Sequence, residues 1–409
     1  MRPLVHPRPS RHITRVVAAS HAGVDLTIGA VAGLLPSIRA DLDLTGGQVA
    51  VVVTVLAAVS SFGQPVAGRL IDRRGPRWPA ITSAAATALV LATMPILPNF
   101  ATVVAASVLG GVGAAIYHPA AATLTRRGAD ERHSASALGL FAAGGTLGLA
   151  AGPLLATWTS GPLLPMLLAF PGVLLAVALA AFTTSLEHER SDGATGGPGA
   201  PSIRESVRRT LPLVVAMSGV YLTSITFSTA VPLWLADTDR PGVIGSTLAV
   251  FSLAAAAGGL VGGRLTSMTG DAAHAAYPMV LAPVALVAIA QTAPGTAAWY
   301  AAVAIGAALG STAIPVALDA AQSKLEGAVA SASGLLMGLP IGLASLGYLA
   351  LSTTIEHLDV HAVATIAATA TTVSALLVRH ALAAPNPTPS SRRQLTCPCI
   401  SGGLAIAAC

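Results

Sequence analysis

His21 and Asp25 are the side chains best placed to do chemistry, because both interrupt a long apolar stretch near the N-terminus. In a helix they lie one turn apart, at positions i and i+4, so they share a face and can share a proton or a hydrogen bond. An ionised carboxylate inside an apolar span costs roughly 3 kcal/mol or more if it faces lipid. We therefore expect Asp25 to face an internal cavity and to exchange protons with His21. A structural polar contact between helices is the alternative.

His118 is the third candidate, and it directly precedes a proline. Pro119 cannot donate a hydrogen bond to the carbonyl of Ala115, so it bends its helix and opens space at His118. In one interpretation, His118 and Tyr117 line a central cavity, where His118 binds protons or substrate. In the other, His118 is satisfied by the freed carbonyl or by Tyr117.

The elements that position these residues follow from composition. Hydrophobic residues fill 54% of the 409 positions and charged residues 10%, which excludes a soluble fold. Continuous apolar stretches of roughly 20 residues, rich in Ala, Leu and Val, predict membrane-spanning helices rather than barrel strands. We expect an all-α protein with twelve spans, at residues 14–38, 49–71, 79–97, 101–124, 134–158, 162–182, 211–236, 243–266, 274–292, 296–318, 328–352 and 360–382.

The basic residues support this count, because Lys and Arg concentrate in cytoplasmic loops. With both termini in the cytoplasm, all but Arg39 and Arg240 of the 22 Lys and Arg residues fall in cytoplasmic segments. This predicts a multi-pass protein of the bacterial cytoplasmic (inner) membrane. Its net charge of +5 indicates contact with anionic lipid headgroups and gives no ground for nucleic-acid binding.

A charged segment rich in Gly and Pro divides the chain into two halves that resemble distant repeats. Gly68-Arg69-Leu70 closes the second span and Gly263-Arg264-Leu265 closes the eighth, its equivalent in the second half. The predicted organisation is a cytoplasmic N-terminal segment (1–13), a six-helix bundle (14–182), a cytoplasmic linker (183–210), a second six-helix bundle (211–382) and a cytoplasmic tail (383–409).

The segment from Gly68 to Arg77 resembles the loop signature of the major facilitator superfamily. It reads Gly68-Arg-Leu-Ile-Asp72-Arg73-Arg-Gly75-Pro-Arg77, and it departs from the pattern at Pro76, where the family has a basic residue. With the twelve spans, the linker and the repeat, the resemblance covers the whole chain. It implies the twelve-helix fold of that superfamily and the transport of a solute.

Three further segments resemble the fosmidomycin resistance branch of that superfamily. They are Ser20-His21 with Asp25 in the first span, Gly110-Gly111-Val-Gly113-Ala-Ala-Ile-Tyr117-His118-Pro119 in the fourth, and Ala332-Ser333-Gly334-Leu335-Leu336-Met337-Gly338 in the eleventh. Members of that branch are proton-driven drug exporters. The superfamily often carries an Arg in the fourth span where this chain has Ser107, so proton coupling is expected to depend on His21, Asp25 and His118 instead.

The resemblance also implies a conformational latch on the cytoplasmic side. Asp72 is expected to contact the positive N-terminus of the eleventh helix and a basic residue after the fourth span, either Arg126 or Arg127. The alternative for the arginines is that they only set the orientation of the chain in the membrane, as cytoplasmic basic residues generally do. The predicted latch comprises Gly68, Asp72, Arg73, Gly75, Arg77, Arg126 and Arg127.

Glycine spacing in the fifth span resembles the antiporter motif of superfamily exporters. Gly139, Gly148, Gly152 and Pro153 predict a tightly packed, bent helix that limits leakage. Near the cytoplasmic end of the tenth span, Asp319 and Lys324 are expected to pair with each other or with Glu326.

These features together predict a proton-coupled exporter that exchanges a small drug-like compound or metabolite for protons by alternating access. Proton-coupled uptake of a nutrient or organic anion is the alternative, and a non-transporting membrane sensor is the third. We expect a monomer in the lipid bilayer with no enzymatic activity, cofactor or metal. Cys397, Cys399 and Cys409 lie in the cytoplasmic tail, where no disulfide is expected.

Overall fold

A computed structural model describes residues 11–158, 161, 163–184, 201–238, 240–325, 327–355 and 360–383. The three cysteines, Glu326 and most of the predicted linker and tail lie outside these residues. The boundaries predicted for the N-terminal segment, the linker and the tail therefore stay predictions.

Long helices make up nearly all of the described chain, and no β-strand occurs in the described ranges. They are α1 (Arg11–Asp41), α2 (Gly46–Arg74), α3 (Arg77–Ala92), α4 (Phe100–Arg127), α5 (Ser134–Trp158), α6 (Leu164–Phe182), α7 (Ile203–Asp237), α8 (Ile244–Thr269), α9 (Ala282–Gln291), α10 (Ala297–Ser311), α11 (Ile314–Lys324), α12 (Val329–Ile355) and α13 (Val360–Ala383).

Twelve helical segments in the described ranges are long and apolar enough to cross a membrane, and each coincides with a predicted span. The tenth span, Ala297–Lys324, contains both α10 and α11. Pro315 lies in the first turn of α11. Backbone N–H groups in the first turn of a helix form no hydrogen bond within that helix, so a proline there costs none. The prediction of an all-α membrane protein with twelve spans is confirmed.

Matching turns support the relation between the halves. α2 ends at Gly75, which has a φ of 86°, and α8 ends at Gly270, which has a φ of 72°. Both angles lie where a side chain would strain the backbone, so glycine is the favoured residue at each position. The second and eighth spans therefore both stop at a glycine of positive φ, although ψ is 155° at Gly75 and 4° at Gly270.

The halves meet mainly through α2 against α12 and α5 against α8, with further contacts of α4 with α12 and of α5 with α11. Within the first half, α1 packs most extensively against α5, along a stripe formed by Gly144, Gly148 and Gly152. A Cβ at any of these three positions would overlap a backbone carbonyl oxygen of α1. The two backbones thus approach as closely as small residues allow, which fixes the position of α1 and its polar residues.

Candidate functional site

Two helices of the first half bring His21, Asp25 and His118 together. The Nε2 atom of His21 lies 3.2 Å from Oδ2 of Asp25, one turn along α1. The Nε2 atom of His118, on α4, lies 3.2 Å from the other carboxylate oxygen, Oδ1. The three side chains are only 6%, 7% and 12% exposed, respectively. The expected pair is therefore a buried trio, which we call the His-Asp-His cluster.

Hydrogen bonds on the far side of each imidazole fix which ring nitrogen carries hydrogen. Nδ1 of His21 lies 2.7 Å from the carbonyl oxygen of Phe141, and Nδ1 of His118 lies 2.7 Å from that of Ala114. A carbonyl oxygen can only accept, so each Nδ1 must donate its hydrogen. In a neutral imidazole, Nε2 is then an acceptor. Both rings therefore direct an acceptor at the acceptor oxygens of Asp25, unless a proton lies between them.

The two imidazoles differ in how well they meet the carboxylate. The contact of His118 has hydrogen-bond geometry, which requires a proton shared between Nε2 and Asp25. Nε2 of His21 is buried and lacks a well-oriented hydrogen-bond partner, although Asp25 lies within ion-pair distance. The cluster is thus built to hold at least one proton, and it has a further buried nitrogen that can receive another.

Aromatic rings of Phe141 and Tyr117 pack beside the cluster. The ring of Phe141 stacks on that of His21, with their centroids 4.0 Å apart. Tyr117 is fully buried, donates a hydrogen bond of 3.0 Å to Ser20, and does not line the cavity. The prediction that Tyr117 lines the substrate cavity is therefore corrected, because its ring faces into the packing between α1 and α4. His118 contacts the carbonyl oxygen of Ala114 and the carboxylate of Asp25, whereas the structural interpretation named the carbonyl of Ala115 or Tyr117. The role of His118 stays a prediction.

A cavity of about 550 Å³ adjoins the cluster and lies between the two halves. His21, Asp25 and His118 all line it, and most of the other lining side chains are apolar. No Lys or Arg occurs among its described lining residues. Its uncharged polar groups come from both halves: Ser60, Ser61, Gln64, Thr146, Tyr221 and Ser311.

Gln64 is the polar lining residue most in need of a partner. Its side chain is buried, and its carbonyl oxygen, Oε1, has no hydrogen-bond partner in the described part of the chain. A buried acceptor without a partner costs roughly 1–3 kcal/mol, so a hydrogen-bond donor on a solute would be stabilised there. Sequence reasoning passed over Gln64, because a lone amide in an apolar helix has no spacing that indicates chemistry.

Gly145 is a second residue that sequence reasoning missed. A Cβ at this position would overlap the imidazole of His21 and approach Oδ2 of Asp25 to 2.7 Å. The only sequence feature that could have indicated this close approach is the adjacent pair Gly144-Gly145 in α5. Its role depends on the register between α5 and α1, which the sequence does not reveal.

The predicted latch joins the halves at one end of the bundle, which we call the closed face. This face holds the ends of α2 and α4 and the start of α12. The carboxylate of Asp72 accepts hydrogen bonds from the backbone N–H groups of Ala330 and Ser331, at 2.8 and 2.9 Å, and from the hydroxyl of Ser331. A Cβ on Gly68 would overlap the carbonyl of Ala330, so glycine lets α2 reach α12. Asp72 thus caps the positive N-terminus of α12.

The two arginines at the end of α4 have separate tasks. Arg127 supplies the positive charge near Asp72. Arg126 instead pairs with Asp319 of α11 and donates to the hydroxyl of Ser323 at 2.9 Å. Asp319 therefore pairs across the two halves, whereas we had expected it to pair with Lys324 or Glu326. Lys324 donates to the carbonyl of Ala381.

The remaining latch residues occupy different positions. Arg77 ties α3 to α6, donating to the hydroxyl of Thr183 at 3.1 Å and to the carbonyl of Ala180 at 2.9 Å. Arg73 is exposed. Gly75 ends α2 with its positive φ.

The glycines of the antiporter-like pattern serve two interfaces. Gly148 and Gly152 pack α5 against α1, whereas Gly139 lies against the backbone of Gly259 in α8, in the other half. Pro153 lies inside α5, with its carbonyl oxygen near Gly33 of α1. Close packing is thus observed at these positions, whereas the bend of α5 and the limit on leakage stay predictions.

The imidazole nitrogens and the carboxylate oxygen of the His-Asp-His cluster lie within 4.8 Å of one another, so they are close enough to act together as ligands of one small cation. No larger grouping of such side chains is found within the described ranges. Our expectation that no metal is required stays a prediction.

Comparison with known proteins places this geometry in a family. Residues 17–345 match the model of the Major Facilitator Superfamily. The fosmidomycin resistance protein of Escherichia coli K12 is 25% identical over 368 residues, which cover 87% of this chain and 89% of that protein.

Two solved structures have the same fold. The E. coli fucose:proton symporter superposes with a TM-score of 0.72 at 13% identity, covering 91% of this chain and 99% of that one. The structure of a human organic anion transporter superposes with a TM-score of 0.73 at 13% identity, covering 91% of this chain and 100% of that one. The chain therefore belongs to the Major Facilitator Superfamily, as a multi-pass membrane transporter and not an enzyme.

Proposed function

We propose that this transporter exports a small lipophilic solute in exchange for protons, which bind at the His-Asp-His cluster. The observation that carries the proposal is one buried carboxylate facing two imidazole nitrogens on the wall of the central cavity. That arrangement is satisfied when it holds a proton and strained when it does not, so protonation and the conformation of α1 and α4 are linked. The 25% identity to a fosmidomycin resistance protein over most of both chains supports export.

The lining of the cavity supports a particular class of solute. Its walls are mainly apolar, its charged groups belong to the cluster, and it lacks Lys or Arg among the described lining residues. A solute with several negative charges would have no fixed cation to pair with. Neutral or weakly charged lipophilic compounds fit best, with a hydrogen-bond donor meeting Gln64.

The orientation proposed from the basic residues places the closed face and both termini in the cytoplasm of a bacterial inner membrane. The cavity runs along α1 from the cluster to Leu35, away from the closed face. With this orientation we infer an outward-open state, and we propose that the carrier acts as a monomer.

Proton movement in vesicles tests the proposal. The purified protein is reconstituted with a pH-sensitive dye inside, and compounds from an antimicrobial panel are added outside without a pH gradient. Exchange predicts that solute and protons move in opposite directions. Movement in the same direction would support the uptake alternative, for which the fold likeness to a fucose:proton symporter is the supporting observation. Absence of any solute flux across the panel, with no resistance in a pump-deficient bacterium, would favour a sensor.

The latch at the closed face carries a separate prediction. Asp72→Asn removes the charge that caps α12, and we expect the closed face to open more often. A single cysteine replacing Ser61, in a protein whose three native cysteines are changed to serine, reports access to the cavity. In inside-out vesicles, an impermeant thiol reagent should label it about threefold to tenfold faster in the Asp72→Asn protein, which corresponds to roughly 1 kcal/mol lost when the negative charge at the N-terminus of α12 is removed.

Arg73→Gln provides the comparison for this experiment. It changes an exposed charge in the same turn of α2, so labelling should stay at the level of the unmodified protein. Equal labelling of the Asp72→Asn and unmodified proteins would show that Asp72 does not hold this face closed.

A further inference from the structure

A basic cleft of about 810 Å³ lies on the closed face, outside the central cavity. Three arginines from three separate elements line it. Arg15 comes from α1, Arg132 from the connection between α4 and α5, and Arg264 from α8 in the second half. Leu140 and Met268 contribute apolar surface, and Met268 is 79% exposed.

The three arginines are available to a ligand. Each is exposed, and none of the three side chains forms a hydrogen bond or ion pair with any described residue. The acid that lines the cleft, Asp130, is already engaged by His133, with 2.7 Å between the carboxylate and Nδ1. That hydrogen bond lowers the pKa of Asp130, so this carboxylate stays ionised and contributes one negative charge against the three arginines. The cleft therefore has an excess of positive charge.

The three arginines lie near the ends of apolar helices, where lipid headgroups are expected if these helices span a bilayer. Arg15 and Arg132 lie within one turn of the start of the first and fifth spans, and Arg264 lies within one and a half turns of the end of the eighth. At a rise of about 1.5 Å per residue, all three are within about 8 Å of the span ends. The apolar side chains of Leu140 and Met268 lie beside them, as acyl chains would require.

We propose that this cleft binds the phosphate headgroup of an anionic phospholipid, with its acyl chains against Leu140 and Met268. Basic pockets between transmembrane helices on the cytoplasmic side suit such headgroups. Arg15 and Arg132 belong to the first half and Arg264 to the second, so a bound lipid joins the halves across the contact of Ser136 with Ser267. The lipid should therefore stabilise the conformation in which this face is closed. The proposal is independent of the solute and of the direction of transport.

Competition between lipids on the purified full-length protein tests the proposal. The detergent-solubilised protein is mixed with equal amounts of dioleoylphosphatidylglycerol and dioleoylphosphatidylcholine, and the retained lipid is quantified by native mass spectrometry. We expect the anionic lipid to be preferred, with the preference falling about fivefold for each arginine replaced by Gln. Arg264→Lys should keep most of the preference, because it keeps the charge.

Controls separate this cleft from general surface charge. Arg204→Gln removes an exposed arginine elsewhere on the closed face and should leave the preference unchanged. Size-exclusion profiles of each single variant establish folding before the lipid measurement. The proposal is overturned if Arg15→Gln, Arg132→Gln and Arg264→Gln all retain the original preference. The proposal is also overturned if the protein retains soluble glycerol phosphate as strongly as the anionic lipid, because the site would then bind phosphate and not lipid.

Discussion

Vesicles that contain the Asp25→Asn protein should show no substrate-driven proton movement above the protein-free background. The amide cannot ionise, so it cannot form the charge-assisted contacts that Asp25 makes with His21 and His118 at 3.2 Å. It keeps nearly the same volume, so packing around α1 should survive. The same variant should fail to protect a pump-deficient bacterium against any compound that the unmodified protein exports.

Asp271→Asn is the matched control. Asp271 is partly exposed at the closed face and accepts a hydrogen bond from the backbone N–H of Ala273, which an Asn side chain can also accept. Proton movement should therefore be unchanged. The Asp25→Asn protein should also elute as a monodisperse species and still bind solute. These two measurements distinguish a loss of proton coupling from a loss of fold. If its proton movement equals that of the unmodified protein, Asp25 is not the coupling residue.

The second large effect is expected at two glycines of α5 that lie three residues apart. A Cβ on Gly145 meets the imidazole of His21 and the carboxylate of Asp25, which are side-chain ends that can move. A Cβ on Gly148 meets the backbone of Ala22 and Leu26, which cannot move without shifting α1. Gly145→Ala should therefore disturb the cluster, and Gly148→Ala should disturb the bundle.

Measured outcomes distinguish the two variants. Gly145→Ala should elute as a folded protein yet lose about tenfold or more in proton-coupled transport, because displacement of His21 and Asp25 weakens the proposed proton site. Gly148→Ala should be destabilised by about 1–3 kcal/mol, seen as a lower melting temperature or aggregation. Gly310→Ala is the control, because a Cβ there meets open space. Full coupling in the Gly145→Ala protein would show that the cluster does not depend on close contact with α5.

The latch shows how far a local pattern can predict a long-range contact. The signature around Asp72 predicted contact with the start of the eleventh span, and the structure has Asp72 hydrogen-bonded to Ala330 and Ser331. It left open whether Arg126 or Arg127 takes part. These neighbours point about 100° apart on one helix, so only the position of α4 relative to Asp72 of α2 and Asp319 of α11 distinguishes them.

The twelve helices and the pairing of His21 with Asp25 could be predicted from the residues alone, because apolar length and i to i+4 spacing are local properties of a chain. The contact of His118 with the second carboxylate oxygen, the burial of Tyr117 and the position of Gly145 beside both residues of α1 could not be predicted in this way. These contacts join α1 to α4 and to α5. They depend on how deeply one helix packs into another, and that depth is set by overlap between atoms that lie far apart in sequence.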